Sequence, residues 1–553
     1  MSNMTNMTMY AALKEAATKY PRDLALFYEG TRISFKALLK RIDATADILY
    51  NQLGVRENDV IVIAQPNIPE TIVLFYAINK IGACSNLIHP FTPFNQVKSI
   101  MDKTHTKYAF LFEQRIAKEV DRYRGIADKV FVTRIEDDLP AFKKMVYHTF
   151  MNFRIRKKLG KLPSRFKFNG FKYTYQLKSN NKPVPEAAFD SKRCTVLLHS
   201  GSTTGKPKTI CLSDNAFNFI AYHSDSFMAL PREELRGHKM LSILPSFHGF
   251  GLCMTMHAPL VNAFSSILIP KFKPDKVVKV MNQTKFTCVC GVPTIYEKLL
   301  NEPSFVNNKN LKHLHCCFCG GDSMPATLEE EFNKAMEKAG SKCRLFQGYG
   351  LTEAIAVNCV NTFTAHRSGS LGKAMPESTF KVVDENNKEV KPGEIGEIIF
   401  KSGAIMLGYY QDEEGTNNCI IDGYLHTGDL GYIDADGFIF FKQRKKRVVK
   451  VSGVAVFPSE VEQLIESMPE VSACAAIHIP DKKLINALKV FVVAKYFDET
   501  AMKDKILETC RKYLIRWSVP TEIEFRKELP LTMLGKVDFR KLQEEEDKKR
   551  GLL

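Results

Sequence analysis

The chain has 553 residues, 45% of them hydrophobic, and a formal net charge of +17, which is ample for a large core and for at least two domains. No run of eighteen apolar residues occurs, and "MSNMTNMTMYAALKEAATKY" lacks a basic segment followed by an apolar core, so neither a spanning helix nor a signal peptide is supported and a cytoplasmic location is expected. The 14 cysteines are scattered and read as small buried residues in a reducing compartment, not as a disulfide framework.

In chain order, the apolar runs "DVIVIAQ", "YAFLF", "KVFVT", "TVLLHS", "KMLSILP", "SSILIP", "TCVCGVP" and "LHCCFCGG" alternate with helix-like stretches such as "PETIVLFYAINKIG" and "ATLEEEFNKAMEKAG". That alternation predicts parallel sheet covered by helices. After residue 375 the texture changes to short strands with turns, as in "FKVVDENNKEVKPGEIGEIIFKSG", which predicts a small β unit. Beyond "KQRKKRVVKVSG" the segments "PSEVEQLIESMPE", "VSACAAIHI", "NALKVFVVAKY" and "AMKDKILETCRKYL" suggest a compact module mixing helices and strands.

Two features stand out within this pattern. From Ala141 to Lys182 there are twelve Lys or Arg and no Asp or Glu, with Phe and Tyr interleaved. Phe142, Met145, Val146, Phe150 and Phe153 recur there at helical spacing, as in an interfacial helix that docks on an anionic membrane. A solvated insertion packed on its own domain is the plainer reading, and nucleic acid is not the expected partner.

The second feature is "LLHSGSTTGKPKTICLS", where Gly201, Ser202, Thr203, Thr204, Gly205, Lys206 and Lys208 lie between two strand-like runs. Glycines let backbone N–H groups crowd round an anion, while hydroxyls and a lysine add donors, so a polyphosphate is the natural guest. The common nucleotide loop is not matched. Only three residues separate the glycines, and Pro207 follows Lys206 where that loop has a hydroxyl. The cysteines of "CVCG" and "HLHCCFCGG" lie in strand-like runs and supply a single CxxC pair, Cys316 and Cys319, so packing is expected there instead of metal.

With the loop come "QGYGLTEA", "YLHTGDLGYIDADGFIFF", "KQRKKRVVKVSG" and "PLTMLGKVDFRKL", in that order. In these strings the chain resembles the adenylate-forming superfamily, from Ile33 to Leu542. The resemblance implies an α/β fold, with a large N-terminal domain (1–444) of two helix-flanked sheets plus a β-barrel. A hinge (445–447) and a small mobile α+β C-terminal domain (448–553) would follow. It implies an enzyme that joins a carboxylic acid to ATP, releases pyrophosphate, and passes the acyl group from the adenylate to a thiol, here CoA. Adenylation gives the carboxylate carbon a good leaving group, provided two anions can be held together in line.

Carried over residue by residue, Ser202, Thr203, Thr204, Gly205, Lys206 and Lys208 would grip the β and γ phosphates. Glu353 matches the Mg2+ carboxylate and Thr352 the α-phosphate contact. Gly320, Gly321 and Asp322 match the adenine-edge turn, and Tyr349 the ring stacked on adenine. Asp429 would accept from both ribose hydroxyls with Arg444 in support, and His248 would lie beside the acyl channel. Lys536 matches the lysine that swings in during adenylation. Lys446 matches the pivot, and Ser452 and Gly453 the segment that faces the thiol afterwards. Lys445, Lys446 and Arg447 could meet CoA phosphates.

The chain departs from the family pattern at Gln443, at Arg447 in place of an acidic or small residue, in the turn before Lys536, and at Gly201 and Ser202. An extra positive charge at Arg447 could favour the CoA-facing arrangement. Small residues near the presumed channel, Gly249, Gly251, Ala354 and Ala356, together with the basic segment, suggest a medium- or long-chain fatty acid. An aryl or short-chain acid, loading of a carrier-protein thiol, and a non-enzymatic basic membrane- or nucleic-acid-binding protein are the alternatives.

Overall fold

The computed structural model describes residues 6–552 apart from 118, 148, 150–170, 201–207, 323, 453, 482–483, 496–497 and 533–535. Two mixed sheets, a curled antiparallel half-barrel and a small C-terminal α+β domain make up the fold. In the nine-stranded sheet, the strands from Leu24–Tyr28 to Arg344–Tyr349 run parallel, with antiparallel strands at both edges. The eight-stranded sheet is built round Val60–Ala64 and Cys84–Leu87, and Val196–His199 and Thr209–Leu212 form an antiparallel pair towards one edge.

The apolar runs of the sequence become these strands because both faces are covered, and a strand buried on two sides needs no polar alternation. Cys288–Gly291 and Cys316–Cys319 are adjacent central strands with every residue buried. Their thiols lie in one core with Met228, Cys316 Sγ being 4.0 Å from Cys288 Sγ. Pro69–Ile81 is a helix buried along almost its whole length, ended by Gly82 at φ 81°. A side chain at that angle would be strained, so glycine stops the helix there.

The β unit after residue 375 is a five-stranded antiparallel sheet. It is the barrel-like unit expected from the sequence, in the form of a curled half-barrel. Its longest strand, Tyr424–Ile433, pairs with Gly396–Lys401 on one side and with Ile439–Arg444 on the other. In the C-terminal domain, Val471–Asp481, Ile485–Ala494 and Glu522–Phe525 form a sheet, with helices Pro458–Glu466, Glu499–Tyr513 and Phe539–Lys549 beside it. Its buried residues form two clusters separate from the main core, as expected of a unit that folds round its own apolar centre.

No described helix is long and apolar enough to cross a membrane. Residues 141–147 are helical, and Phe142, Met145 and Val146 are exposed on it. Lys143 and Lys144 turn back to the body instead, towards Glu29 and Asp137 at 3.5 and 3.7 Å. Most of the rest of the predicted basic helix, including Phe150 and Phe153, lies outside the described residues.

Candidate active site

The glycine-rich loop joins two antiparallel strands, Val196–His199 and Thr209–Leu212, as a hairpin. Its base is closed by the Ser200 N–H donating to the Lys208 carbonyl at 3.0 Å. Ser202, Thr203, Thr204, Gly205 and Lys206 lie outside the described residues, so only the loop's exit is located. There, Lys208 Nζ sits 3.9 Å from the centre of the Tyr409 ring. The Tyr409 hydroxyl donates to Glu353 Oε1 at 3.0 Å. One tyrosine thus ties the exit of the loop to the carboxylate of "GLTEA". Burial and the Glu353 charge raise the Tyr409 hydroxyl's pKa far above its ordinary value, so it stays protonated and donating.

Sequence reading missed Tyr409. It stands in a two-residue strand, Gly408–Tyr409, that pairs with Thr209–Leu212 some two hundred positions earlier, and nothing local in "LGYY" announces that pairing.

Thr352 and Glu353 form a short 3-10 turn at the end of Arg344–Tyr349, and both are half-buried. The following residue pairs are crowded. A Cβ on Gly249 would lie 2.0 Å from the Ile355 carbonyl oxygen, and one on Gly350 only 1.2 Å from that of Ala356. Gly251 is similarly filled by the Pro245 carbonyl at 2.2 Å, and Ala354 and Ala356 are buried. Gly249, Gly251 and Gly350 let backbone approach backbone, and the space a side chain would take at each is occupied by main chain. The same contact holds the His248 segment against the Glu353 segment.

Asp429 is fully buried on Tyr424–Ile433, directly across from Arg444 in the neighbouring strand. Tyr349 Oη donates to Asp429 Oδ2 at 2.5 Å. Arg444 Nε lies 2.9 Å from Oδ1 as an ion pair, but without hydrogen-bonding alignment, and Oδ1 has no hydrogen-bond partner among the described residues. A buried carboxylate oxygen left so costs energy in the free protein and is satisfied by a ligand that donates to it. Burial raises the Asp429 pKa, and the Arg444 charge and the Tyr349 bond oppose the rise. Gly428, at φ 69°, lies beside it where the pairing with Gly396–Lys401 shifts register, and donates its N–H to Glu397 at 3.1 Å.

Gly320, Gly321 and Asp322 leave the strand Cys316–Cys319, with Gly321 at φ 80° and Asp322 exposed. A Cβ on Gly320 would be 3.2 Å from the Gly348 carbonyl, so the turn packs on the strand that carries Tyr349. His248 precedes the helix Gly249–Leu252 and is half-buried.

Lys536 comes from the C-terminal domain. Its turn is closed by Thr532, whose N–H donates to the Lys536 carbonyl at 2.7 Å, and by a bridge between Leu531 and Val537. Lys536 is exposed as a residue, yet surrounding protein lowers its pKa. Asp322 acts against that shift, Arg444 adds to it, and Asp429 again acts against it. His248 is pushed down to about 4, first by burial and then by the Lys536 charge. Asp322, Asp429, Arg444, His248 and Lys536 therefore share one electrostatic neighbourhood, although they are spread over more than half the chain. These couplings fall off with distance, so they report spatial convergence.

Lys446 lies in the turn Lys445–Arg447. Ser452, at φ 48°, donates its N–H to the Leu484 carbonyl at 2.9 Å, and Gly453 is outside the described residues. Lys445 Nζ is bound to Glu397 at 2.9 Å, and Arg447 to Glu462 at 2.6 Å. In this arrangement each of these two cations is therefore paired with a carboxylate.

Residues 13–410 match the family model described as AMP-binding enzyme, and residues 460–536 match the AMP-binding enzyme C-terminal domain. The chain belongs to the AMP-binding enzyme family. It is an enzyme of the AMP-forming acid–CoA ligase class, in a family that binds ATP and uses CoA. It is 28% identical over 547 residues to the long-chain-fatty-acid–CoA ligase of Bacillus subtilis (strain 168), covering 98% of this chain and 95% of that protein. It is 30% identical over 556 residues to the protein of the same name from Salmonella typhimurium, with the same coverage of both. Among solved structures, an anthranilate CoA ligase in complex with anthranoyl-AMP superposes with a TM-score of 0.81 at 22% identity, covering 98% of this chain and 97% of that one. At that identity the likeness concerns the fold.

Proposed function

We propose that this AMP-binding enzyme activates a medium- or long-chain fatty acid with ATP and transfers the acyl group to CoA at the cytoplasmic face of a membrane. The observation that carries the nucleotide part is the convergence on Asp429. A buried carboxylate with an unsatisfied oxygen, held by Tyr349 and faced by Arg444 and Lys536, suits a ribose whose hydroxyls donate. The choice of acid is supported by relatives named for long-chain fatty acids that match this chain nearly end to end.

In this reading Ser202, Thr203, Thr204, Gly205, Lys206 and Lys208 hold the β and γ phosphates. Thr352 binds the α-phosphate, Gly320, Gly321 and Asp322 border the adenine, and Tyr349 packs on the base while its hydroxyl fixes Asp429. Glu353 fits a Mg2+ ligand, being a hard carboxylate donor oriented by Tyr409, and the ion would supply charge neutralisation at the phosphates. Lys536 brings a cation to the meeting point of carboxylate and α-phosphate, offsetting the repulsion between two anions. A lowered pKa on Lys536 means that the protein withdraws part of its hydration, which strengthens its pull on an incoming oxyanion. Neutral His248 lines the acyl side without adding charge.

The same lysine obstructs the thiol, so the chain divides functionally into 1–444, a hinge at 445–447 and a C-terminal domain at 448–553 that turns about Lys446 between half-reactions. The turned domain brings Ser452 and Gly453 to the thiol. The exposed Phe142, Met145 and Val146 contact the anionic membrane from which the acid is drawn.

The test is a panel of carboxylic acids with ATP, Mg2+ and CoA, read as pyrophosphate release and acyl-CoA formation. Turnover peaking at medium or long saturated chains is expected. A maximum with aryl or acetate-sized acids overturns the choice of acid. Loading of a phosphopantetheinyl carrier without CoA turnover overturns the acceptor.

A further inference from the structure

Arg447 stands where the family pattern has an acidic or small residue, and the structure gives this departure a set of partners. Its guanidinium donates to both Glu462 oxygens, at 2.6 and 3.3 Å, and to the Ala476 carbonyl at 3.3 Å. Glu462 in turn accepts from the Ala476 N–H at 2.7 Å and is 8% exposed. The guanidinium carbon also lies 3.7 Å from the centre of the Phe539 ring. A forked, stacked guanidinium is a stiff joint, since the plane is fixed by both the carboxylate and the ring.

Phe539 opens the helix Phe539–Lys549, three residues after Lys536. The base of the Lys536 turn is bound to the same place, by the Leu531–Val537 bridge and by the Asp538 N–H donating to the Pro530 carbonyl at 2.8 Å. On the other side of the hinge, Lys445 is held to Glu397 of the half-barrel at 2.9 Å. Within three residues the chain passes from one anchored cation to another. Lys445 belongs to the large domain and Arg447 to the small one, with Lys446 between them.

We propose that Arg447 is a positioning residue that locks the hinge to the Lys536 turn through Phe539, so that torsion is confined to Lys446 and the lysine arrives at a fixed place. This rests on the reading that Lys536 acts in adenylation. The contacts all lie C-terminal to Lys446, so they travel with the small domain and persist when it rotates. Arg447 therefore governs where Lys536 is delivered and has no role at the thiol.

The experiment measures both half-reactions of the full chain for K536A, R447A and R447K. Adenylation is read as pyrophosphate release and thioester formation is measured from supplied acyl-AMP and CoA, with thermal unfolding alongside. K536A should abolish adenylation and spare thioester formation. R447A should lower adenylation roughly 100-fold, the scale of a displacement of about 1 Å, and leave thioester formation within about twofold. R447K keeps the charge but can neither fork nor stack, so it should fall between, at about tenfold, and it decides the matter if R447A does not fold. Unchanged adenylation in the Arg447 variants, or equal loss of both half-reactions, overturns the inference while leaving Lys536 in place. Unimpaired adenylation in K536A overturns the reading of Lys536 and this inference with it.

Discussion

Replacing Asp429 by Asn separates what that residue does for the nucleotide from what it does for the fold. The carboxylate is fully buried, and its pKa is raised even though Tyr349 donates to one oxygen and Arg444 stands 2.9 Å from the other. The direction of that shift sets the sign. A folded pKa above the unfolded value means that the charged form is less favourable in the fold than in water, and at neutral pH the protein bears that cost. Asparagine removes the charge and keeps an oxygen for Tyr349, so stability should be unchanged or slightly higher. Binding goes the other way. A charge-assisted hydrogen bond contributes about 1.5–3 kcal/mol, and two bonds to ribose hydroxyls, not fully additive, come to roughly 2–4 kcal/mol, about 30- to 1,000-fold in ATP affinity. The assay is isothermal titration with ATP or AMP beside a thermal melt of the same preparation. A variant that melts several degrees lower and binds nucleotide normally would refute the reasoning, making Asp429 an ordinary structural aspartate.

Tyr409→Phe keeps the ring beneath Lys208 and removes the hydroxyl from Glu353, so pyrophosphate release should fall roughly tenfold with little change in melting temperature, and unaltered release would remove Tyr409 from the site. Gly249→Ala places a Cβ 2.0 Å from the Ile355 carbonyl, so a melt should show a loss of about 1–3 kcal/mol, with activity reduced because Glu353 lies two residues before Ile355. His257, fully buried between Tyr76 and Asn218 at 3.0 Å each, is pushed down to about 3 by burial. The unfolded chain then takes up a proton below pH 6.5 that the folded chain refuses. On the order of 4 kcal/mol of stability present at neutral pH is lost as pH falls from 6.5 towards 3. Urea midpoints at pH 7 and pH 5 check this, and His257→Gln should flatten the difference.

Elements whose signal is local are legible in the amino-acid sequence. The helix Pro69–Ile81 announces its ends by Pro69 and Gly82, and the apolar strands announce themselves because a strand covered on both faces must be apolar throughout. The short strings around Glu353, Asp429 and Lys536 are legible too, since each is a pattern of residue types confined to a few positions. Relations between distant residues are not. Tyr409 reaches Glu353 and Lys208 only because Gly408–Tyr409 pairs with a strand two hundred positions away.

The sequence by itself determined the order of elements, the family and the residue types available for holding a nucleotide, because propensity and turn chemistry act over a handful of positions. Tertiary structure alone decided which charges are spoken for. Arg447 and Lys445 look like two free cations in "RKKRVV", yet folding gives one to Glu462 and the other to Glu397, carboxylates 15 and 48 residues away. It also decided that the small residues beside His248 are filled by backbone. Charge pairing and close packing depend on distances across the fold, and no local pattern encodes them.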